Sequence, residues 1–111
     1  MTYQACITLI EQYQWDDGWE LPNQILHDAL CDMAMALRIF YLADGYGYLI
    51  NGCGNLSDWN EFIKNLYEKI SSGGYEVKHT YEVPLTNIQK YKLKKMNVPS
   101  IFYEGCIKHE C

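Results

Sequence analysis

The stretch L-P-N-Q-I-L-H-D-A-L-C-D-M-A-M-A-L-R-I-F-Y-L, Leu21 to Leu42, decides how this chain folds. Leu26, Ala29, Leu30, Met33, Leu37 and Phe40 recur at three- and four-residue steps and form one stripe on a helix. Ile25, Ala36, Ile39 and Ala43 carry the apolar surface around most of the cylinder. A helix apolar on most sides is covered on most sides, so one central helix is expected here. Pro22 suits its first turn, where a missing N–H goes unnoticed, and Gly45 is expected to stop it. Leu26, Leu30, Met33, Leu37 and Phe40 are its expected core contacts.

Before this stretch, Tyr3, Cys6, Ile10 and Tyr13 share a helical face, and W-D-D-G ends that helix. After it, Asp58 is expected to cap a third helix with Glu61 reaching back. Trp59, Phe62, Ile63, Leu66, Tyr67 and Ile70 form the apolar face of that helix, and S-S-G-G (Ser71 to Gly74) closes it. From Tyr75 to Val83 the period changes to two, the signature of a half-exposed strand. Residues 46–50 and 100–103 are its candidate partners. Thr86 and Gln89 open a last short helix, lysines 90, 92, 94 and 95 crowd its end, and Asn97 and Pro99 terminate it. The expected fold is predominantly α, a helix-rich α+β domain spanning residues 1–111. It has about four helices and one short strand or hairpin.

The hydrophobic fraction of 49% and charged fraction of 21% are those of a globular chain, not a disordered one. No apolar run reaches the roughly 18 residues a membrane span needs, since Asp32 and Arg38 interrupt Ala29 to Ala43. M-T-Y-Q-A-C at the N-terminus lacks the basic region of a signal peptide, so a cytoplasmic location is expected. Five cysteines, an odd number without a secretion signal, point to reduced thiols.

The net charge of −5 is unevenly spread. Residues 1–61 hold nine acids against Arg38 alone, and residues 62–111 hold five acids against eight lysines, giving −8 and +3. An acidic surface repels phosphate backbones and attracts a basic protein. No direct nucleic-acid partner and no membrane partner are expected.

Several constellations suggest chemistry and are outweighed. Cys106, His109 and Cys111 carry zinc-ligand chemistry, but structural zinc wants four ligands, usually paired at longer range, and only Cys53 could supply the fourth. His27 and Cys31 resemble an imidazole–thiolate pair, yet free cysteine usually packs as a small hydrophobe, and Asp28 and Asp32 disfavour a thiolate. His27 and His79 could form an acid–base pair for RNA cleavage, but only Lys78 supplies a neighbouring cation. His79 falls on the apolar side of the expected strand and reads as a packed, hydrogen-bonded side chain. D-G-Y-G-Y-L-I-N-G-C-G lacks the lysine and the glycine order of a phosphate loop. No catalytic, cofactor or metal site is expected, and the chain reads as a non-enzyme.

What remains is W-D-D-G-W-E-L-P, Trp15 to Pro22, and D-G-Y-G-Y, Asp44 to Tyr48. Both join acids to large aromatics, the residues that dominate binding hot spots. Asp16, Asp17, Trp19, Glu20, Asp44, Tyr46 and Tyr48 are the expected partner-binding residues, with Trp15 assigned to the core. The bland reading has the tryptophans capping the core and the acids facing water.

In order, W-D-D-G-W-E-L-P, C-D-M-A-M-A-L-R-I-F-Y-L-A-D-G-Y and P-L-T-N-I-Q-K-Y-K-L resemble a family of small bacterial proteins of unknown function. That family is associated with immunity proteins of contact-dependent growth inhibition and other polymorphic toxin systems. The resemblance implies a cytosolic inhibitor that binds one toxin domain tightly, with no catalysis and no cofactor. The function expected is an immunity protein that neutralises a cognate, basic toxin domain such as a nuclease, the free protein being a monomer or weak dimer. The alternatives are a small hydrolase or RNase using His27 or His79, and a structural adaptor.

Overall fold

Asp32 cuts the central stretch in two. In the computed structural model, which describes residues 2–14, 18–51 and 58–107, its carboxylate accepts the Met35 N–H at 3.0 Å as an N-cap. The chain therefore restarts as a new helix at Met33. The described residues form seven helices: α1 (Tyr3–Gln12), α2 (Glu20–Leu26), α3 (Met33–Leu42), α4 (Gly45–Asn51), α5 (Asp58–Ser71), α6 (Asn87–Lys95) and α7 (Ile101–Glu104). The single helix expected from Pro22 to Leu42 is thus α2, a turn and α3. Two aspartates cause the break, because short acidic side chains compete for backbone N–H groups. Asp28 takes the Leu30 N–H at 2.8 Å within the turn, and Asp32 caps α3.

The break changes which residues are inside. Leu26, Met33, Leu37 and Phe40 are buried as expected, but Leu30 sits in the turn and is 41% exposed. Of the ten residues of α3, Met33 to Leu37, Ile39 and Phe40 are all buried. This helix is the true centre, packed against α1, α2, α4 and α5. Arg38 leaves the apolar pattern by reaching Glu11 of α1 at 2.5 Å and lying over the Tyr81 ring.

The neighbours obey their stripes. Thr2 caps α1, which buries Cys6 and Ile10. Helix α5 buries Phe62, Ile63, Leu66 and Ile70, and Trp59 donates its indole N–H to the Ala43 carbonyl at 2.6 Å. The side chain of Asp58 lies outside the described part, and with it the expected capping pair with Glu61. Gly45 does not terminate a helix but begins α4, after Asp44 turns the chain with φ 64°. A Cβ at Gly45 would lie 2.2 Å from the Phe40 ring, so only glycine lets α4 close on α3.

The expected strand is absent. From Tyr75 to Val83 the described chain makes one isolated antiparallel bridge, Tyr81 to Cys106. Both candidate partners are committed elsewhere, residues 46–50 to α4 and 101–103 to α7. Alternation alone cannot make a strand without a neighbouring ladder. The bridge itself needs glycine at 105, where φ is 74° and a Cβ would come within 2.2 Å of the Tyr81 carbonyl oxygen.

Helix α6 begins as its sequence says, with Thr86 and Gln89 exchanging side-chain-to-backbone hydrogen bonds. Asn97 adopts φ 61° beyond its end. In α7, Phe102 is buried against Phe40 and Tyr67, both at 5.0 Å between ring centroids, and accepts the Tyr41 hydroxyl on its carbonyl. Among the described residues no helix is long and apolar enough to cross a membrane.

Candidate functional site

Helical periodicity builds a groove between α2 and α5. Asn23, Leu26 and His27 line its α2 side, three and four residues apart. Glu61, Asn65 and Lys69 line the α5 side at four-residue steps, with Phe62 and Leu66 beside them. Trp19, at the N-cap of α2, closes one end by stacking on Phe62 at 4.7 Å and 18°. Tyr75 closes the other, its ring 4.4 Å from the Lys69 ammonium. Phe62 and Lys69 are seven residues apart, so the two ends are about 10 Å apart along α5. The groove is open and holds about 430 Å³. Its lining is nearly evenly apolar and polar and includes an acid, two amides, an imidazole and a cation.

A second recess of about 390 Å³ shares Leu26, His27, Lys69 and Tyr75 and continues the groove towards Asp28, Cys31, Glu76 and Lys78. No thiolate chemistry is available there. Burial first, then the Asp32 charge, pushes the Cys31 thiol up to about 12. His27 donates its Nδ1–H to the Asn23 carbonyl at 2.7 Å, and α2 ends before it, so His27 and Cys31 share no helix face.

The most concentrated polar cluster is centred on Asp32, which is fully buried. One carboxylate oxygen accepts the Tyr3 hydroxyl at 2.8 Å and the Met35 N–H at 3.0 Å. The other accepts the Lys78 N–H at 3.2 Å and Nδ1–H of His79 at 3.0 Å. Burial by itself would raise this carboxyl; the bonds from Met35, His79, Tyr3 and Lys78 outweigh it and hold it below its ordinary range. Burial and the same carboxylate push the Tyr3 phenol upward. His79 stacks on Tyr3 at 3.8 Å and remains half exposed. The histidine expected inside an apolar strand face is therefore at the surface, hydrogen-bonded to a buried acid. Nothing in local sequence joins positions 3, 32 and 79.

Of the expected partner-binding residues, Asp16 and Asp17 lie outside the described residues, as does Trp15. Trp19 is half buried in the groove wall, and Glu20 is exposed on the first turn of α2. Asp44 is exposed in the turn before α4. Tyr46 and Tyr48 are on α4, not in a loop, and both are half buried against the core. Tyr48 meets Phe40 and Tyr67 edge-on. Phe62 and Tyr67 are separated by about 140° around α5, so Trp19 and Tyr48 pack on different flanks of it. Cys106 is buried with its thiol donating to the His79 carbonyl at 3.4 Å, while Cys53, His109 and Cys111 fall outside the described residues.

Residues 2–71 match the sequence model of a family described as a domain of unknown function, DUF4274. The chain belongs to that family. The matched span runs from α1 to α5 and includes the groove's lining residues except Tyr75, while α6 and α7 lie beyond it. No curated protein and no solved structure matches the chain.

Proposed function

We propose that this DUF4274 chain is an immunity-type inhibitor that binds and neutralises a cognate basic toxin domain, a nuclease being the toxin class in view. The observation that carries the reading is the Trp19–Phe62 stack in the wall of an open groove, at the end where Glu61 lines it and Glu20 follows Trp19 on α2. A partly exposed tryptophan backed by a second ring gives a rigid anchor with little side-chain entropy to lose. Glu20 and Glu61 beside it, with Asp16 and Asp17 just before it in sequence, offer carboxylates to lysine or arginine. Such charges act mainly on encounter, and the aromatic anchor mainly on residence. The cytoplasm is the compartment this role requires.

Binding kinetics with the product of the gene next to this one test the proposal. Asp16→Asn with Asp17→Asn lowers the association rate and flattens its salt dependence. Trp19→Ala raises the dissociation rate about tenfold or more, equivalent to roughly 1.4 kcal/mol of lost anchor. Absence of binding, or of protection in cells, ends the proposal.

The Asp32–His79 pair favours a second reading, a hydrolase in which the half-exposed imidazole acts as base while the buried carboxylate orients it. RNA cleavage by the purified chain that disappears in His79→Gln, with the fold retained, would replace the inhibitor reading.

A further inference from the structure

Helix α6 shows solvent an unusual face. Its inner side is Leu93, fully buried. On the opposite side Ile88 is 82% exposed and Tyr91 59% exposed, one helical turn apart. Lys95 joins them there with its ammonium 4.9 Å from the Tyr91 ring centroid, and Lys92 and Lys94 flank the pair. The helix carries four lysines and no acid. Its capping box fixes the first turn, so Ile88 is held out on a rigid support. An apolar centre with a charged rim is the anatomy of a small interface.

The charge decides what can cover it. Pairing α6 with α6 would bring lysines against lysines. The complementary surface is the Trp19 end of the α2–α5 groove, with the Trp19 and Phe62 rings, Glu61 in the lining and Glu20 exposed on the first turn of α2, while Lys69 lies two helical turns away at the Tyr75 end. We propose that α6 of one copy of this chain docks on the α2–α5 groove of a second copy. Ile88 and Tyr91 meet the Trp19–Phe62 wall, and Lys92 and Lys95 face Glu20 and Glu61. Two copies of net charge −5 repel at a distance. The screening length of about 8 Å at physiological ionic strength leaves the facing patches to decide the contact. So small a patch makes the association weak and reversible. It also makes α6 the resting occupant of the groove, displaced when a tighter basic partner arrives. This rests on reading the groove as a protein-binding site.

A two-variant mixing experiment tests it without any toxin. Sedimentation equilibrium of the wild-type chain over a concentration series shows mass above the monomer. Lys92→Glu with Lys95→Glu, and separately Glu20→Lys with Glu61→Lys, each lower the association constant about tenfold or more while melting as the wild type does. An equimolar mixture of the two variants restores association, because each acidic α6 now meets a basic groove and each basic α6 an acidic one. A wild-type chain that stays monomeric overturns the inference, as do charge reversals without effect or a mixture that does not recover. If the α6 variant associates normally but loses toxin binding, α6 serves a different protein and self-docking is wrong. Self-association without toxin binding would instead remove the inhibitor role and keep this contact.

Discussion

The buried carboxylate of Asp32 holds the imidazole of His79 at 3.0 Å across 47 positions of sequence. The same side chain caps α3 and takes the Tyr3 hydroxyl, so it ties α1, α3 and residues 78–79 at one point. Asp32→Asn keeps one oxygen for the cap but points an N–H2 group where the Lys78 N–H needs an acceptor. A buried donor left unpaired costs about 1–3 kcal/mol. Denaturant unfolding of the two proteins should show a loss in that range.

Acid should erase that difference. The folded-state pKa of Asp32 lies below its unfolded value of about 3.9, so its contribution is complete above the unfolded value and is lost as pH falls through the folded one. The stability gap between wild type and Asp32→Asn should shrink as pH falls below about 4. A gap that does not shrink there would mean that the carboxylate is not stabilised in the fold.

The break before α3 sets a contrast between two leucines seven residues apart. Leu37 is fully buried, so Leu37→Asp places an unpaired charge in the core and should cost several kcal/mol or abolish folding. Leu30→Asp lies in the exposed turn and should stay within about 1 kcal/mol of wild type. Thermal melts of the pair distinguish a turn at Ala29–Asp32 from a continuous helix.

Cys31 should resist alkylation in the native protein. Its thiol, moved from 9.0 to about 12, carries about a thousandfold less thiolate at a given pH than an unperturbed one. Peptide mapping after iodoacetamide treatment should show Cys31 labelled slowly until denaturant is added.

Local signals in the sequence are reliable where one element suffices to satisfy them. The Tyr3–Cys6–Ile10 stripe, the Phe62–Ile63–Leu66–Ile70 face and the Thr86–Gln89 box all appear in place. They mislead where a residue type serves two purposes. Aspartate in mid-pattern looks like a tolerated polar residue on an exposed helix side, yet Asp28 and Asp32 end one helix and start another. An acid directly before the unbroken apolar run Met33–Leu37 is the cue to that restart. The Tyr75–Val83 alternation needs a partner strand that no local pattern can supply or rule out.

The candidate site is legible in the sequence as charge and aromaticity but not as shape. Trp19 and Glu20 stand out along the chain, whereas the groove exists only because α2 is set against Glu61 to Lys69 of α5. Asn23, Asn65 and Tyr75 carry no signal until that packing is known. The tyrosines of D-G-Y-G-Y look like loop contacts as long as Gly45 reads as a helix stop, when it is a small residue admitting the Phe40 ring.

The matched family span ends at residue 71, yet the cap of α3 is finished by chain beyond that point. The Met33 N–H donates to the Glu76 carbonyl at 2.7 Å, both donors to the outer oxygen of Asp32 come from residues 78 and 79, and Phe40 rests on Phe102. A fragment cut at residue 71 would take away half the donors of the Asp32 carboxylate together with the chain that covers it, and strip one side from the central aromatic. The span the family model matches and the span that can stand alone therefore have different ends. Any relative that keeps an aspartate at this cap without a counterpart of residues 76–79 must bring other donors to it, from its own downstream chain or from a bound protein.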